Sequence, residues 1–306
     1  MKNVASSVQA RLKNHSRQSG VDMPTLYRRY VQERLIYRLS VSAHAEEFAL
    51  KGGLLLAAYN GGDLERPTED IDFNGIDCNG NVERLKEVLL DVISAEVPDD
   101  GVIFDAETMN VTKDRTGAVP GGKITMQAKV GTALVGLKVD VGFGNPVTPS
   151  TRQVEFPTLL DGISETPRMQ GYPLETVIAE KLHAMVQFGI RNTRVKDHYD
   201  LYMLSKLYPF ESDLIADAIS TTFSHQQREL PDNIDGLGKA YLKAAAPLWK
   251  AFLAKLPGKP KIDFAEAVSA IKEFVDVPVA DARTGSRSGV KWDPGNGWSA
   301  PAPRMR

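Results

Sequence analysis

The chain has a single cysteine, Cys78, among 306 residues. That excludes an internal disulfide and a thiolate-built metal cluster, and it fits a reducing compartment. No apolar run approaches the ~20 residues that span a bilayer, and the first residues lack the apolar core of a signal peptide. A cytoplasmic protein without membrane contact is therefore expected. Neither a Gly-x-x-x-x-Gly-Lys-Ser/Thr nor a Gly-x-Gly-x-x-Gly stretch occurs, so the two commonest glycine-rich nucleotide loops are excluded. No His-x-x-x-His pair occurs either, so zinc is not expected and His183 and His198 read as packing residues. An excess of one charge is also missing, and the formal net charge of −2 does not mark a nucleic-acid binder.

What is present is the composition of an ordinary globular protein, 42% hydrophobic and 25% charged, long enough for two subdomains. The near-neutral average hides an asymmetry. Residues 1–40 hold eight Lys/Arg against Asp22 and Glu33, whereas residues 61–107 are strongly acidic. A basic face beside an acidic site suits a polyanion positioned for metal-assisted chemistry; a solvated helical surface accounts for the same counts.

The densest chemical signal lies in Phe48-Ala-Leu-Lys-Gly-Gly53 followed by Pro67-Thr-Glu-Asp-Ile-Asp-Phe73. In an extended segment side chains alternate, so Asp70 and Asp72 share one face while Ile71 and Phe73 turn to a core. Two adjacent carboxylates repel unless a cation lies between them, and hard oxygen ligands suit Mg²⁺. Gly52 and Gly53, just before an apolar helix, leave backbone N–H groups open to an anion, with Lys51 beside them. A third carboxylate, Asp140, stands on the polar side of the alternating run Leu134-Val-Gly-Leu-Lys-Val-Asp-Val-Gly142, a strong strand pattern. An anion cradle facing a divalent-metal site is what transfer from a nucleoside triphosphate (NTP) requires.

Periodicity predicts helices over 4–19 and 24–42, the second with Leu26, Tyr30, Leu35, Ile36 and Leu39 on one side and arginines on the other. It predicts a short helix at 54–59, a strand at Asp70-Ile-Asp72, a turn at Asn79-Gly80, and a helix at 82–95. Strands are expected near 102–113 and 123–131 with a turn at 117–122 between them. Beyond 150 a Pro-punctuated linker leads to helices near 174–188, 196–207, 211–224, 235–255 and 263–275. Residues 277–306 read as an extended tail anchored by Trp292 and Trp298.

Together, Lys-Gly-Gly, Asp-x-Asp and the third strand aspartate resemble the polymerase-beta-like nucleotidyltransferase superfamily. The resemblance narrows through Glu33-Arg-Leu-Ile-Tyr-Arg-Leu-Ser40, Phe48–Gly53, Asp70-Ile-Asp72, Val139-Asp-Val-Gly-Phe-Gly144, Glu180-Lys-Leu-His183 and Arg194-Val-Lys-Asp-His-Tyr-Asp-Leu-Tyr202. These blocks, spread over residues 5–205, are similar to the AbiEii/AbiGii toxin family, and to its tRNA-modifying members in mycobacterial toxin–antitoxin pairs. One departure is that Leu54, not Ser or Thr, follows Gly53.

The resemblance implies an α/β fold: a mixed-sheet nucleotidyltransferase core plus an α-helical C-terminal domain. The expected divisions are 1–40 as a helical pair packed on the core, 41–165 as the nucleotidyltransferase domain, 166–276 as the helical domain and 277–306 as the tail. It implies two Mg²⁺ ions on Asp70, Asp72 and Asp140, with NTP as substrate. Lys51, Gly52, Gly53 and Arg194 would contact phosphates, and Asp197 would be functional. Lys181, which its apolar stripe alone would place as a snorkelling surface residue, would meet the triphosphate. Thr68 would lie near the metal site. The acceptor would be the 3′ end of tRNA, approached by Arg28, Arg29 and Arg34, and a cognate antitoxin would restrain a monomeric enzyme. A protein hydroxyl as acceptor, or nucleotide binding without turnover, are the alternatives.

Overall fold

A computed structural model describes residues 3–62, 66–76, 82–114 and 121–300. Cys78 and the expected Asn79-Gly80 turn lie outside these residues, as does most of the turn at 117–122. The chain divides into two units, one comprising Met1–Asn145 and Thr151–Tyr172, the other Pro146–Ser150 and Pro173–Arg306. No described helix is long and apolar enough to cross a membrane.

The first unit opens with helix α1 (Val4–Ser19), whose Asn3 cap accepts the Ser6 N–H, and α2 (Met23–Val41), whose Asp22 cap accepts the Thr25 N–H. Such caps satisfy N–H groups left over in the first helical turn. Then follow β1 (Phe48–Lys51), α3 (Gly52–Tyr59), β2 (Ile71–Gly75), α4 (Val82–Ile93), β3 (Val102–Asp114), β4 (Gly121–Val130), β5 (Ala133–Phe143), β6 (Arg152–Glu155) and β7 (Arg168–Gly171). These strands form one mixed sheet in the order β3-β4-β5-β2-β1-β7-β6. β2 runs parallel to β5 and β1 parallel to β7, and the other neighbours are antiparallel. The alternation expected around residue 140 holds: Val135, Leu137, Val139 and Val141 are buried while Leu134, Gly136 and Lys138 are exposed. β1 was not anticipated, nor were β6 and β7 in the supposed linker. Four-residue strands are too short to show a period.

Helix α2 departs furthest from expectation. Its arginines do not form a solvated face: Arg29, Arg34 and Arg38 are all buried, as are Gln32 and Glu33. Each has an interior partner. Arg38 makes a bidentate pair with Asp100 (2.6 and 3.1 Å). Arg34 contacts Glu33 and Ser164, and Glu33 accepts the Leu159 N–H at 2.6 Å. The Arg29 guanidinium stacks 3.9 Å from the Phe156 ring centroid, and burial pushes its pKa down to about 10. Arg29 and Arg34 are therefore removed from any RNA-facing surface. Partners supplied by residues 156–164 and by Asp100 turned this basic segment into a polar core.

The second unit contains α5 (Leu174–Phe188), α6 (Val195–Leu207), β8 (Phe210–Glu211), α7 (Ser212–His225), α8 (Lys239–Leu253), α9 (Phe264–Thr284), β9 (Lys291–Asp293) and β10 (Gly297–Ser299). Helices α5, α6, α7 and α9 pack on one another. The helix expected to end near 275 runs on through Pro278 to Thr284. A helical proline removes one N–H and costs about 3 kcal/mol, and burial of Phe274, Val275 and Pro278 offsets it. Residues 277–284 are thus helical, and 291–299 form a hairpin added to β8. The tryptophans anchor it as expected: Trp292 Nε1–H donates to Ser205 O (2.8 Å) and Trp298 Nε1–H to Phe274 O (3.0 Å).

If Arg38–Asp100 holds α2 to the sheet, Asp100→Ala leaves a buried guanidinium without its carboxylate. The expected loss is roughly 3–5 kcal/mol, read from urea unfolding, and a loss under about 1 kcal/mol would remove this pair from the framework.

Candidate functional site

The site begins with strand register. Parallel pairing of β2 with β5 sets Asp72 beside Asp140, and antiparallel pairing sets Lys51 beside Asp72 and Lys123 beside Asp140. A row of Lys51, Asp72, Asp140 and Lys123 therefore crosses four strands, two carboxylates flanked by two ammonium groups. Ile71, Phe73, Val139 and Val141 are buried on the opposite face, so the register that fills the core also brings the acids together. Beyond the row, Asn74 fastens the end of β5: its Nδ2–H donates to Asn145 O (3.0 Å) and its Oδ1 accepts the Asn145 N–H (3.2 Å).

Asp70 completes the cluster. Asp70, Asp72 and Asp140 each offer a carboxylate oxygen within 4.8 Å of the others, all three residues partly buried. Unit charges at that separation repel by on the order of 3 kcal/mol at an effective dielectric constant near 20. An all-oxygen donor set at this spacing fits a hard divalent cation such as Mg²⁺.

The glycine turn is built against these acids. Gly52 has φ +70°, and a Cβ there would lie 1.9 Å from Asp72 Oδ2. Only glycine satisfies both constraints. A Cβ on Gly53 would lie 2.1 Å from Thr68 Oγ1 and 3.1 Å from Arg66 Nη1. α3 starts at Gly52 with no side-chain cap, so its first turn directs backbone N–H groups and the positive end of its dipole outward. Leu54, which departs from the Ser/Thr pattern, is fully buried. The hydroxyl at this turn is that of Thr68, buried itself and packed against Gly53. Lys51 Nζ lies 5.6 Å from the Tyr172 ring centroid.

Sequence reasoning missed Arg66 and Lys123. Lys123 was legible in principle, because β4 alternates and its register with β5 follows from the tight turn between them. Arg66 carries no periodic signal.

Lys181, Arg194 and Asp197 belong to the second unit and form a network there. Lys181 Nζ donates to Asp197 Oδ1 (2.9 Å) and Asp200 Oδ2 (2.6 Å), and Arg194 Nε–H donates to Asp197 Oδ2 (2.7 Å). Lys181 is therefore buried and paired, not a snorkelling surface lysine. Burial alone would raise the Asp197 pKa, but the Lys181 and Arg194 charges outweigh it and hold the carboxyl far below the ordinary range. His198 stacks on Tyr241 at 4.7 Å and His183 packs edge-on to Phe223 at 5.3 Å; burial lowers both imidazole pKa values.

Two outcomes are expected of these arrangements. Asp70→Ala should keep or raise the melting temperature of metal-free protein by relieving repulsion, while abolishing the increase that Mn²⁺ gives the wild type; a variant still stabilised by Mn²⁺ would place the cation elsewhere. The stability that Asp197 contributes is fully present above its unfolded pKa of about 3.9 and fades only as pH falls through its depressed native value. Lys181→Met should therefore lose on the order of 3 kcal/mol near neutral pH and unfold at higher pH on acid titration, and an unchanged acid midpoint would contradict the network.

The family profile described as Nucleotidyl transferase AbiEii toxin, Type IV TA system matches residues 34–270. No curated protein matches the chain. Among crystal structures, JHP933 from Helicobacter pylori is similar, with 16% identity and a TM-score of 0.52, covering 87% of this chain and 96% of that one. Another H. pylori structure, whose name proposes a nucleotidyltransferase, has 17% identity and a TM-score of 0.50, covering 87% of this chain and 100% of that one. At such identities the likeness concerns the fold. The profile spans the glycine turn, all three clustered aspartates and the Lys181 network, and the chain belongs to the AbiEii nucleotidyltransferase toxin family of type IV toxin–antitoxin systems.

Proposed function

We propose that this chain transfers a nucleoside monophosphate from an NTP to the 3′-hydroxyl at the end of tRNA, and that the blocked tRNA stops translation. The observation that carries the reading is the convergence of Asp70, Asp72 and Asp140 within 4.8 Å beside a glycine turn that Asp72 itself fixes. Mg²⁺ held by these carboxylates, two ions when both substrates are bound, would supply charge neutralisation at the phosphates and lower the pKa of the attacking hydroxyl.

The chain's own groups do the rest. Backbone N–H groups of Gly52 and Gly53, with the Thr68 hydroxyl beside them, orient triphosphate oxygens, and Lys51 adds a positive charge along the same row. Asp140 accepts the proton of the acceptor hydroxyl. The hydroxyl oxygen forms a bond to the α-phosphorus as the bond to the β-phosphate oxygen breaks, and pyrophosphate leaves. Lys181 and Arg194 stand in blocks typical of the family and are assigned to phosphate contact, with Asp197, which accepts a hydrogen bond from each, as the residue that positions them. The family also supports a cognate antitoxin as regulator, and a cytoplasmic, monomeric enzyme is part of the same proposal.

Incubation with each α-labelled NTP, Mg²⁺ and total tRNA tests the reading. Label should appear at RNA 3′ ends and vanish with Asp70→Ala. Label recovered on protein, or incorporation that survives Asp70→Ala, would overturn it.

A further inference from the structure

β2 pairs with β5 only from Ile71–Val139 onward. Among the described residues no strand pairs with Leu134–Lys138 on that side, although β4 covers their other side. Along this segment lies an open groove of about 770 Å³. Met23 and Tyr27 from the start of α2 form part of its wall, and Arg28, Glu69 and Lys138 bring charge to it. Lys138 Nζ is 3.6 Å from Glu69 Oε2, both side chains more than half exposed, a pair of small net worth that an incoming phosphate can displace. Leu134, 69% exposed, lines the groove as well.

The position of the groove says what it serves. Glu69 immediately precedes Asp70, and Lys138 lies one pleat before Asp140 on the same strand face, so these two lining residues border the carboxylate cluster. The unpaired stretch stops where β2 takes up its pairing, so the occupant is a chain that ends at the cluster. A nucleobase has flat apolar faces and a polar rim. Methionine and tyrosine side chains match the faces, open-strand backbone groups match the rim, and Arg28 and Lys138 match the phosphates. An added peptide strand would have to run on into the place that β2 already holds.

We infer that this groove seats the single-stranded 3′ end of the acceptor RNA, with a base against Tyr27 and phosphates on Arg28 and Lys138, and so delivers the terminal hydroxyl to Asp140. The inference rests on the nucleotidyl-transfer reading. It also replaces the buried Arg29 and Arg34 as the RNA-binding surface and keeps Arg28.

The test is fluorescence anisotropy of a fluorescein-labelled single-stranded RNA with a free 3′-hydroxyl, titrated with the full chain. NTP affinity is measured in parallel with a fluorescent NTP analogue and Mg²⁺. Gly136→Glu is a suitable block, because a Cβ there meets only Gln127 Nε2 at 4.0 Å and the carboxylate repels phosphate. Gly136→Glu and the double variant Tyr27→Ala/Arg28→Ala should each bind RNA roughly tenfold more weakly, with NTP affinity and melting temperature unchanged. The double variant should also show a shallower salt dependence. Equal RNA affinity in all three proteins, or wild-type protein that binds NTP but no RNA, overturns the groove and leaves the NTP site standing. Label transferred to a polypeptide and lost in Gly136→Glu would make the groove a protein seat and overturn it too. Failure to bind NTP would instead sink the nucleotidyl-transfer reading.

Discussion

Everything chemical in the first unit depends on the parallel pairing of β2 with β5. That pairing places Asp72 against Asp140, an arrangement that electrostatics alone opposes. It persists because the same register buries Ile71, Phe73, Val139 and Val141, and a slip by one residue would expose all four. Full burial of one such side chain is worth about 1.5–3 kcal/mol, so four of them outweigh the carboxylate repulsion. The strain is stored where a cation relieves it. Strand register sets Lys51 and Lys123 at the two ends of the row, where their charges offset part of the repulsion.

A second constraint acts through α2. This helix is buried around most of its circumference, so its polar residues needed interior partners. Asp100, Leu159 and Phe156 provide them from segments distant in sequence. The helix is thereby fixed against the sheet, and only its first turns, around Met23 to Arg28, remain to shape the groove wall. Rigidity at one end and an open surface at the other follow from the same packing.

The legible parts of this chain were those with a local period. Asp70, Asp72 and Asp140 declared their shared face through alternation with buried aliphatic residues, and the glycine turn declared itself through composition. Helices with continuous apolar stripes, such as Leu174–Phe188, were also readable. Features that depend on distant partners were not. Arginine counts in residues 1–40 suggested a solvated surface because the carboxylate that buries Arg38 lies 62 residues away. Lys181 read as an edge lysine because its partners Asp197 and Asp200 sit on another helix. The strands β1, β6 and β7 were too short for a period, and Pro278 suggested an end where packing carried the helix through.

Crystals soaked with Mn²⁺ and a non-hydrolysable NTP, measured at the manganese absorption edge, test the central claim most directly. The account predicts an anomalous peak about 2.1 Å from oxygens of Asp70, Asp72 and Asp140, with the triphosphate lying against the Gly52–Gly53 backbone. A folded protein whose manganese and triphosphate bind away from these three carboxylates would contradict it.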